Sequence, residues 1–181
     1  MQRNLGFTLI ELLVVLAVFG LLSAVALSTF QDAIAASHSA AARSALSESL
    51  LGAFNRSFIS GTKVVVCAST DGTTCSGGMD WSPGWIAFTD SNENRERDPD
   101  DLLVGSHPPL TNGIHMRSSV GRTRIVFQPH GGVNAGSNVT FTFCDQRGPA
   151  KASALILANS GRLRAATASV AQGLACLDAG T

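Results

Sequence analysis

Two arginines near the C-terminus, Arg162 and Arg164, carry the clearest recognition chemistry in the chain. In a strand, side chains two residues apart share a face, so both guanidinium groups point one way and Leu163 the other. Their separation of about 7 Å suits adjacent phosphates of a nucleic-acid strand. Lys151 and Arg147 lie nearby in sequence. A second Gly-Arg-x-Arg run, Gly121-Arg-Thr-Arg124, leads into Ile125-Val-Phe127 and adds Arg122 and Arg124 to the candidates. Arginines on any exposed strand can equally be solvated or paired with acids, so both readings stand at this point.

Glu11 is the second chemical candidate. From Leu12 to Gln31 no residue is charged, and twenty helical residues span about the 30 Å of a bilayer core. A carboxylate in such a helix costs roughly 2.5–3.5 kcal/mol on insertion scales, so a cation at the same depth is its natural partner. Cleavage after Gly6 creates one, the α-amino group of Phe7, which a neighbouring copy could present to Glu11. Only six residues precede the apolar run, with a single positive charge at Arg3, which orients the leader toward the cytoplasm. A secretory signal peptide would show a longer basic region and a small-residue cleavage site. Here Ala24-Val25-Ala26 comes nearest to such a site, and Ser-Thr-Phe-Gln-Asp follows.

The remaining candidates are weaker. Asp90-Ser-Asn-Glu-Asn-Arg-Glu-Arg-Asp-Pro-Asp-Asp101 begins like a calcium loop, with oxygen-bearing Asp90, Asn92 and Asn94. Arg95, however, stands where the sharp-turn glycine belongs, and the closing residue is Asp101 in place of Glu, so the stretch reads as a solvated hairpin loop. Trp81 and Trp85 flank Ser82-Pro83-Gly84 and are expected to lock a turn onto the sheet; base stacking is the competing use. Cys67, Cys75, Cys144 and Cys176 lack Cys-x-x-Cys spacing and neighbouring histidines, which argues against zinc. In an exported head they form two disulfides. Of three pairings, Cys67–Cys75 with Cys144–Cys176 is favoured, because the first pair brackets a short turn-rich loop. His38, His107, His115 and His130 are dispersed, with no nucleophile elbow or phosphate loop. No enzyme, metal or cofactor is expected.

Several elements must position these residues. Ala- and Ser-rich sequence continues the apolar run to about Ser60, with Ile34, Ala41, Leu46, Leu50, Phe54 and Phe58 at helical spacing. One helix from Phe7 to about Phe58 is predicted, stopped by Gly61. Its second half packs this stripe on the head. Beyond Gly61 the pattern turns to period two. Strands are predicted at 63–68, 84–89, 102–105, 114–118, 122–128, 139–144, 152–158 and 162–168, separated by Gly-, Pro- and Asn-rich turns, with no helix of useful length. Val139, Phe141 and Phe143 should face a core and the intervening threonines solvent. Asn159-Ser-Gly161 suits a three-residue hairpin loop with Gly161 left-handed. The class is α+β: a long hydrophobic N-terminal helix packed on a mostly antiparallel sheet. Net charge is zero overall, but residues 61–101 carry three basic and eight acidic groups and residues 102–181 seven basic and two acidic. An anionic partner would go to the second half.

Gly6, Phe7-Thr-Leu-Ile-Glu11 and the apolar helix with Gly20 resemble the type IV pilin superfamily. Cys67-Ala-Ser-Thr-Asp-Gly-Thr-Thr-Cys75, Asp80-Trp-Ser-Pro-Gly-Trp85, Cys144-Asp and Asn159-Ser-Gly-Arg-Leu-Arg164 resemble the GspH/FimT family of minor pilins and pseudopilins, closer to its FimT/FimU members. The resemblance covers nearly the whole chain. It implies a leader at 1–6, a helix at 7–60 with 7–30 in the membrane or filament core, and a head at 61–181. It implies cleavage between Gly6 and Phe7 by a prepilin peptidase, methylation of the new amine, and docking aided by Glu11. Ser28 departs from many pilins, which have a helix-breaking proline there. The resemblance further implies a single pass through the inner membrane with a periplasmic head, then a place among other pilins in a surface pilus. Gly161-Arg-Leu-Arg164 matches the element with which FimT proteins bind double-stranded DNA in natural transformation. A purely structural tip or priming subunit, and a pseudopilin of a type II secretion system, are the alternatives.

Overall fold

A computed structural model describes residues 8–178, without the side chains of residues 24–29. Helix α1, Leu9–Ser60, runs unbroken for 52 residues, about 78 Å, past Ser28. Its start is fixed by a capping box. The Thr8 backbone N–H donates to Glu11 Oε2 at 2.8 Å, and the Glu11 N–H donates to Thr8 Oγ1 at 3.4 Å. It stops at Gly61, whose φ of 67° reverses the chain and whose N–H donates to the Ser57 carbonyl. Phe7, where the helix was expected to begin, lies outside the described residues.

The expected stripe is only half right. Leu46 and Leu50 are fully buried, but Ile34, Ala41 and Phe58 face outward, Phe58 with 67 % of its surface exposed. The buried line runs instead through Ala35, Ser39, Ala42, Leu46, Leu50, Ala53 and Ser57. Small residues let the sheets approach the helix axis, so the packing face is the one with the least side-chain volume over much of its length. Ser57 also bonds beyond the helix, its hydroxyl donating to the carbonyls of Thr62 and Phe127.

The head holds eight antiparallel strands in two four-stranded sheets. The first contains β1 (Lys63–Ala68), β2 (Trp85–Asp90), β3 (Leu103–His107) and β5 (Arg124–Phe127), in the order β3-β2-β1-β5. The second contains β4 (His115–Ser118), β6 (Val139–Cys144), β7 (Ser153–Leu157) and β8 (Leu163–Thr167), in the order β4-β6-β7-β8. Helix α1 and the inner faces of both sheets share one core, in which Leu46, Leu50, Trp81, Trp85, Phe141 and Phe143 are buried. Trp81 meets Phe141 edge-on, with ring centroids 4.9 Å apart, and Trp85 stacks on His107 at 3.9 Å. Both indoles fasten the turn between them and neither is open to a base.

A short helix appears where only strand and turn were expected. Helix α2, Val170–Asp178, lies on the outer face of the second sheet. It is started by Ser169 and Gln172, which exchange hydrogen bonds as a capping box. The sequence signal for this start is the Ser-x-x-Gln pattern at residues 169–172. The helix explains why Thr142, expected to face solvent, is 6 % exposed. Disulfide Cys144–Cys176 staples α2 to β6, and Cys67–Cys75 closes the loop after β1. Inside that loop Asp71 Oδ1 accepts the N–H groups of Thr73 and Thr74, which hold its carboxyl well below the usual carboxylate range.

Candidate functional site

Arg162 and Arg164 sit at the tip and start of the β7–β8 hairpin. Ala158 donates to the Arg162 carbonyl and Gly161 donates to the Ala158 carbonyl, which closes a three-residue loop with Gly161 at φ 82°. The tip is docked on two sides. The Val133 N–H donates to the Asn159 carbonyl at 2.9 Å, and the ring of Phe54 on α1 lies against Gly161. Leu163 packs against the core, while Arg162 and Arg164 are exposed, as strand alternation requires. Among the described residues neither arginine has a hydrogen-bond or ion-pair partner.

Strand β8 is the free edge of its sheet, and between it and α1 runs an open groove of about 710 Å³. Arg164 lines this groove beside Leu163 and Ala165, and Arg43, Ser47 and Asn55 line it from the helix. Arg43 was absent from the sequence-based candidates. It stands far from Arg164 in the chain, and only the packing of α1 beside β8 makes them neighbours. Among the described residues, Glu48 is the groove's one acid.

The other predicted cations separate from this pair. Arg122 is tied down, its Nε donating to the Asn138 carbonyl at 2.8 Å and its Nη2 to Asn138 Oδ1 at 3.4 Å. Arg124 pairs with Glu96 across the first sheet's outer side. Lys151 is exposed but lies on a short 3-10 turn, Pro149–Lys151, beyond the opposite end of β7. That position is about 20 Å from the hairpin tip along the strand. Arg147 makes a two-pronged pair with Asp145, at 2.8 and 2.7 Å. Burial pushes the Asp145 carboxyl up, but the hydrogen bonds and charge of Arg147 outweigh it and hold Asp145 below its ordinary value.

At the other end of the molecule Glu11 closes the Thr8 cap, accepting from both the Thr8 N–H and its hydroxyl at 2.8 Å. Gly6 and Phe7 lie outside the described residues. Leu9, Ile10, Phe19, Leu21 and Leu22 are each more than 60 % exposed, so the first turns of α1 present bare apolar surface on every side. Among the described residues no helix is long and apolar enough to cross a membrane.

A long N-terminal helix laid over a two-sheet β head, with a bare apolar leading end, is the pilin kind of fold. A family profile described as the type II transport protein GspH matches residues 44–161, and one described as the prokaryotic N-terminal methylation motif matches residues 1–27. The chain belongs to the GspH family. Among solved structures it is similar to the type IV minor pilin FimU of Pseudomonas aeruginosa in two crystal forms. The TM-scores are 0.54 and 0.55 at 14 % identity, over 72 % of this chain and 93 % and 88 % of those chains. It is also similar to the minor pseudopilin EpsH from the type II secretion system of Vibrio cholerae, with TM-score 0.51 and 13 % identity, over 72 % of this chain and 97 % of that one. No curated protein matches the chain significantly. The chain thus pairs a GspH-family head with an N-terminal methylation motif and shares its fold with the minor pilin FimU and the minor pseudopilin EpsH.

Proposed function

We propose that the chain is a minor type IV pilin subunit whose head binds double-stranded DNA through Arg162 and Arg164. The observation that carries this reading is the contrast between the two Gly-Arg-x-Arg runs. Arg122 and Arg124 are engaged within the fold, whereas Arg162 and Arg164 are exposed and, among the described residues, unpartnered on a docked hairpin. A basic pair held on a rigid tip can meet phosphates without an ordering penalty for the backbone. Arg43 enlarges the basic surface across the groove. The family match ends at Gly161, so the arginine pair is a feature of this chain beyond the matched region.

In this reading residues 1–6 are a leader removed between Gly6 and Phe7 by a prepilin peptidase. Residues 7–60 are the helix that rests in the inner membrane and later in the filament, and residues 61–181 are the displayed head. Support comes from the methylation motif and from the exposed apolar surface at the start of α1, which lipid or neighbouring pilin helices must cover in water. The subunit works by assembly and binding and performs no catalysis.

A gel shift of the detergent-solubilised full chain with duplex DNA at rising salt tests the reading. Binding should weaken steeply with salt, and Arg162→Gln/Arg164→Gln should lose at least tenfold while Arg122→Gln/Arg124→Gln binds as the parent. Equal binding by the Arg162/Arg164 variant, or salt-insensitive binding by the parent, sinks it. A second reading, a pseudopilin of a type II secretion system, draws on the description of the matching family and the likeness to EpsH. A deletion strain that keeps its pili and DNA uptake but stops secreting protein would favour that reading.

A further inference from the structure

The edge of a β-sheet is a row of unpaired backbone N–H and C=O groups, and native folds cover or blunt such rows. The two sheets of the head have their edges at β3, β5, β4 and β8, and the first three are managed in this way. The outer side of β4 is met by the segment before it. The Trp81 N–H donates to the Met116 carbonyl, the Ser118 N–H to the Met79 carbonyl, and the Met116 N–H to Ser82 Oγ. The outer side of β5 is met by the loop after it. The Asn134 N–H donates to the Val126 carbonyl, and the Gln128 N–H donates to the Gly132 carbonyl. Strand β3 is bulged, its register against β2 shifting between Ala87 and Phe88.

Strand β8 is left regular and uncovered. Its pairing with β7 runs from Leu157 opposite Leu163 to Ser153 opposite Thr167 without a shift, and the strand holds no proline. Just outside its two ends, the Ala158 N–H donates to the Arg162 carbonyl and the Ala168 N–H donates to the Ala152 carbonyl. Antiparallel alternation then assigns the bonds to β7 to Arg162, Arg164, Ala166 and Ala168. Leu163, Ala165 and Thr167 turn their N–H and C=O groups outward. Among the described residues no group beyond β7 bonds to them.

The groove beside this edge defines what can fill it. A strand laid along β8 sends alternate side chains to the two faces of the sheet. On the face turned to α1 it meets Leu163 and the half-exposed Leu51, which favour apolar side chains. On the other face it meets Arg164, and Arg43 adds a second cation from the helix wall against the single acid Glu48. Among the described residues neither arginine is in an ion pair, so acids are the complementary charge.

We propose that β8 accepts an added strand from a neighbouring protein subunit, an extended segment in which apolar residues alternate with acidic ones. Its backbone completes the outward hydrogen bonds of Leu163, Ala165 and Thr167, which supply affinity. Its apolar side chains enter the slot between Leu163 and Leu51, and its carboxylates meet Arg164 and Arg43, which supply specificity. This surface goes beyond the DNA reading and does not rest on it, because an edge is recognised through its backbone.

The test uses the detergent-solubilised full chain and a fluorescein-labelled heptapeptide of alternating glutamate and valine, with binding followed by anisotropy. Saturable binding is expected, with the amides of residues 163–167 protected from hydrogen exchange. Absence of either overturns the proposal. Serine in place of the valines should weaken binding about tenfold. Equal binding by the serine peptide would reduce the contact to charge attraction and overturn the slot. N-methylation of one alternate set of peptide nitrogens should weaken binding about tenfold or more, and of the other set far less, because only one set faces β8. Equal affinities of the two methylated peptides overturn strand addition. Ala165→Pro removes an outward N–H without touching the ladder to β7, so it should melt near the parent and lose about tenfold or more in peptide affinity. Unchanged affinity in that variant overturns the edge assignment; if the variant fails to fold, the methylated peptides decide on the parent chain.

Discussion

Gly161 and Phe54 meet so closely that a β-carbon on the glycine would stand 3.2 Å from the phenyl ring. The same glycine has a φ of 82°, so two separate constraints disfavour a side chain there. Through this contact the tip that carries Arg162 is seated on the helix. Gly161→Ala should therefore destabilise the head by about 1–2 kcal/mol. It should also weaken DNA binding more than its stability loss explains. Urea melts combined with the gel shift separate the two effects.

The salt dependence of DNA binding should report the number of phosphates met. Removing both Arg162 and Arg164 should reduce the slope of log affinity against log salt by about 2. Arg43→Gln should reduce it by about 1 if duplex DNA crosses the groove. A slope that stays at the parent value in both variants would place the DNA elsewhere.

Glu11 closes the Thr8 cap, and one substitution separates that contact from the proposed attraction to a neighbouring amine. Glutamine at position 11 keeps the capping box with Thr8 but abolishes attraction to a neighbouring amine. Glu11→Gln should leave the helix start intact, with the subunit accumulating in the membrane fraction and missing from sheared filaments. Thr8→Ala should cost about 1 kcal/mol of helix stability and reduce incorporation much less. Equal incorporation of Glu11→Gln and parent would remove the charge from the assembly step.

The Cys144–Cys176 disulfide closes a separation of 32 residues and holds α2 over Thr142. Cys144→Ser/Cys176→Ser should lose roughly 3–4 kcal/mol by loop-closure estimates. Amides of α2 should then exchange with deuterium faster than those of β6, measured by hydrogen exchange with mass spectrometry. The Cys67–Cys75 loop should be unaffected.

Asp145 links stability to pH through Arg147. Its folded-state carboxyl titrates below the ordinary value, so its contribution is complete above about pH 4 and is lost as pH falls through the lowered value. Arg147→Gln should cost about 2–3 kcal/mol at pH 7, because it leaves a buried carboxylate without its partner. The variant should differ least from the parent in acid, where Asp145 is protonated in both. Thermal melts between about pH 3 and 7 check the sign of this difference.

Much of the fold was legible in the chain because its signals are local. Alternation of Val, Phe and Thr marks β6, and Asn159-Ser-Gly161 marks the hairpin loop. An Ala- and Ser-rich stretch without proline marks the helix past the apolar run. The buried stripe on α1 was misread because Ile34 and Phe58 outweigh Ala35, Ala42 and Ala53 in hydrophobicity. Packing chose the small residues, since two sheets must approach one helix. Helix α2 was missed because nine residues carry too little periodicity to compete with a strand pattern, although its capping box was present.

The sequence alone determined the long N-terminal helix, the acid at its start, the β head and the number of cysteines, since each follows from composition and short-range spacing. It put Arg162 and Arg164 ahead of Arg122 and Arg124 but could not show which pair is engaged, and it presented the acidic loop as a solvated turn. Only tertiary structure distinguished them. Pairing with Asn138 and Glu96 engages one arginine pair, while the free edge of β8 leaves the other open. Burial beside the first sheet strips water from Asp90, whereas every residue from Ser91 to Glu96 stays exposed. Partners and burial are set by contacts between residues distant in the chain, and no local pattern encodes them.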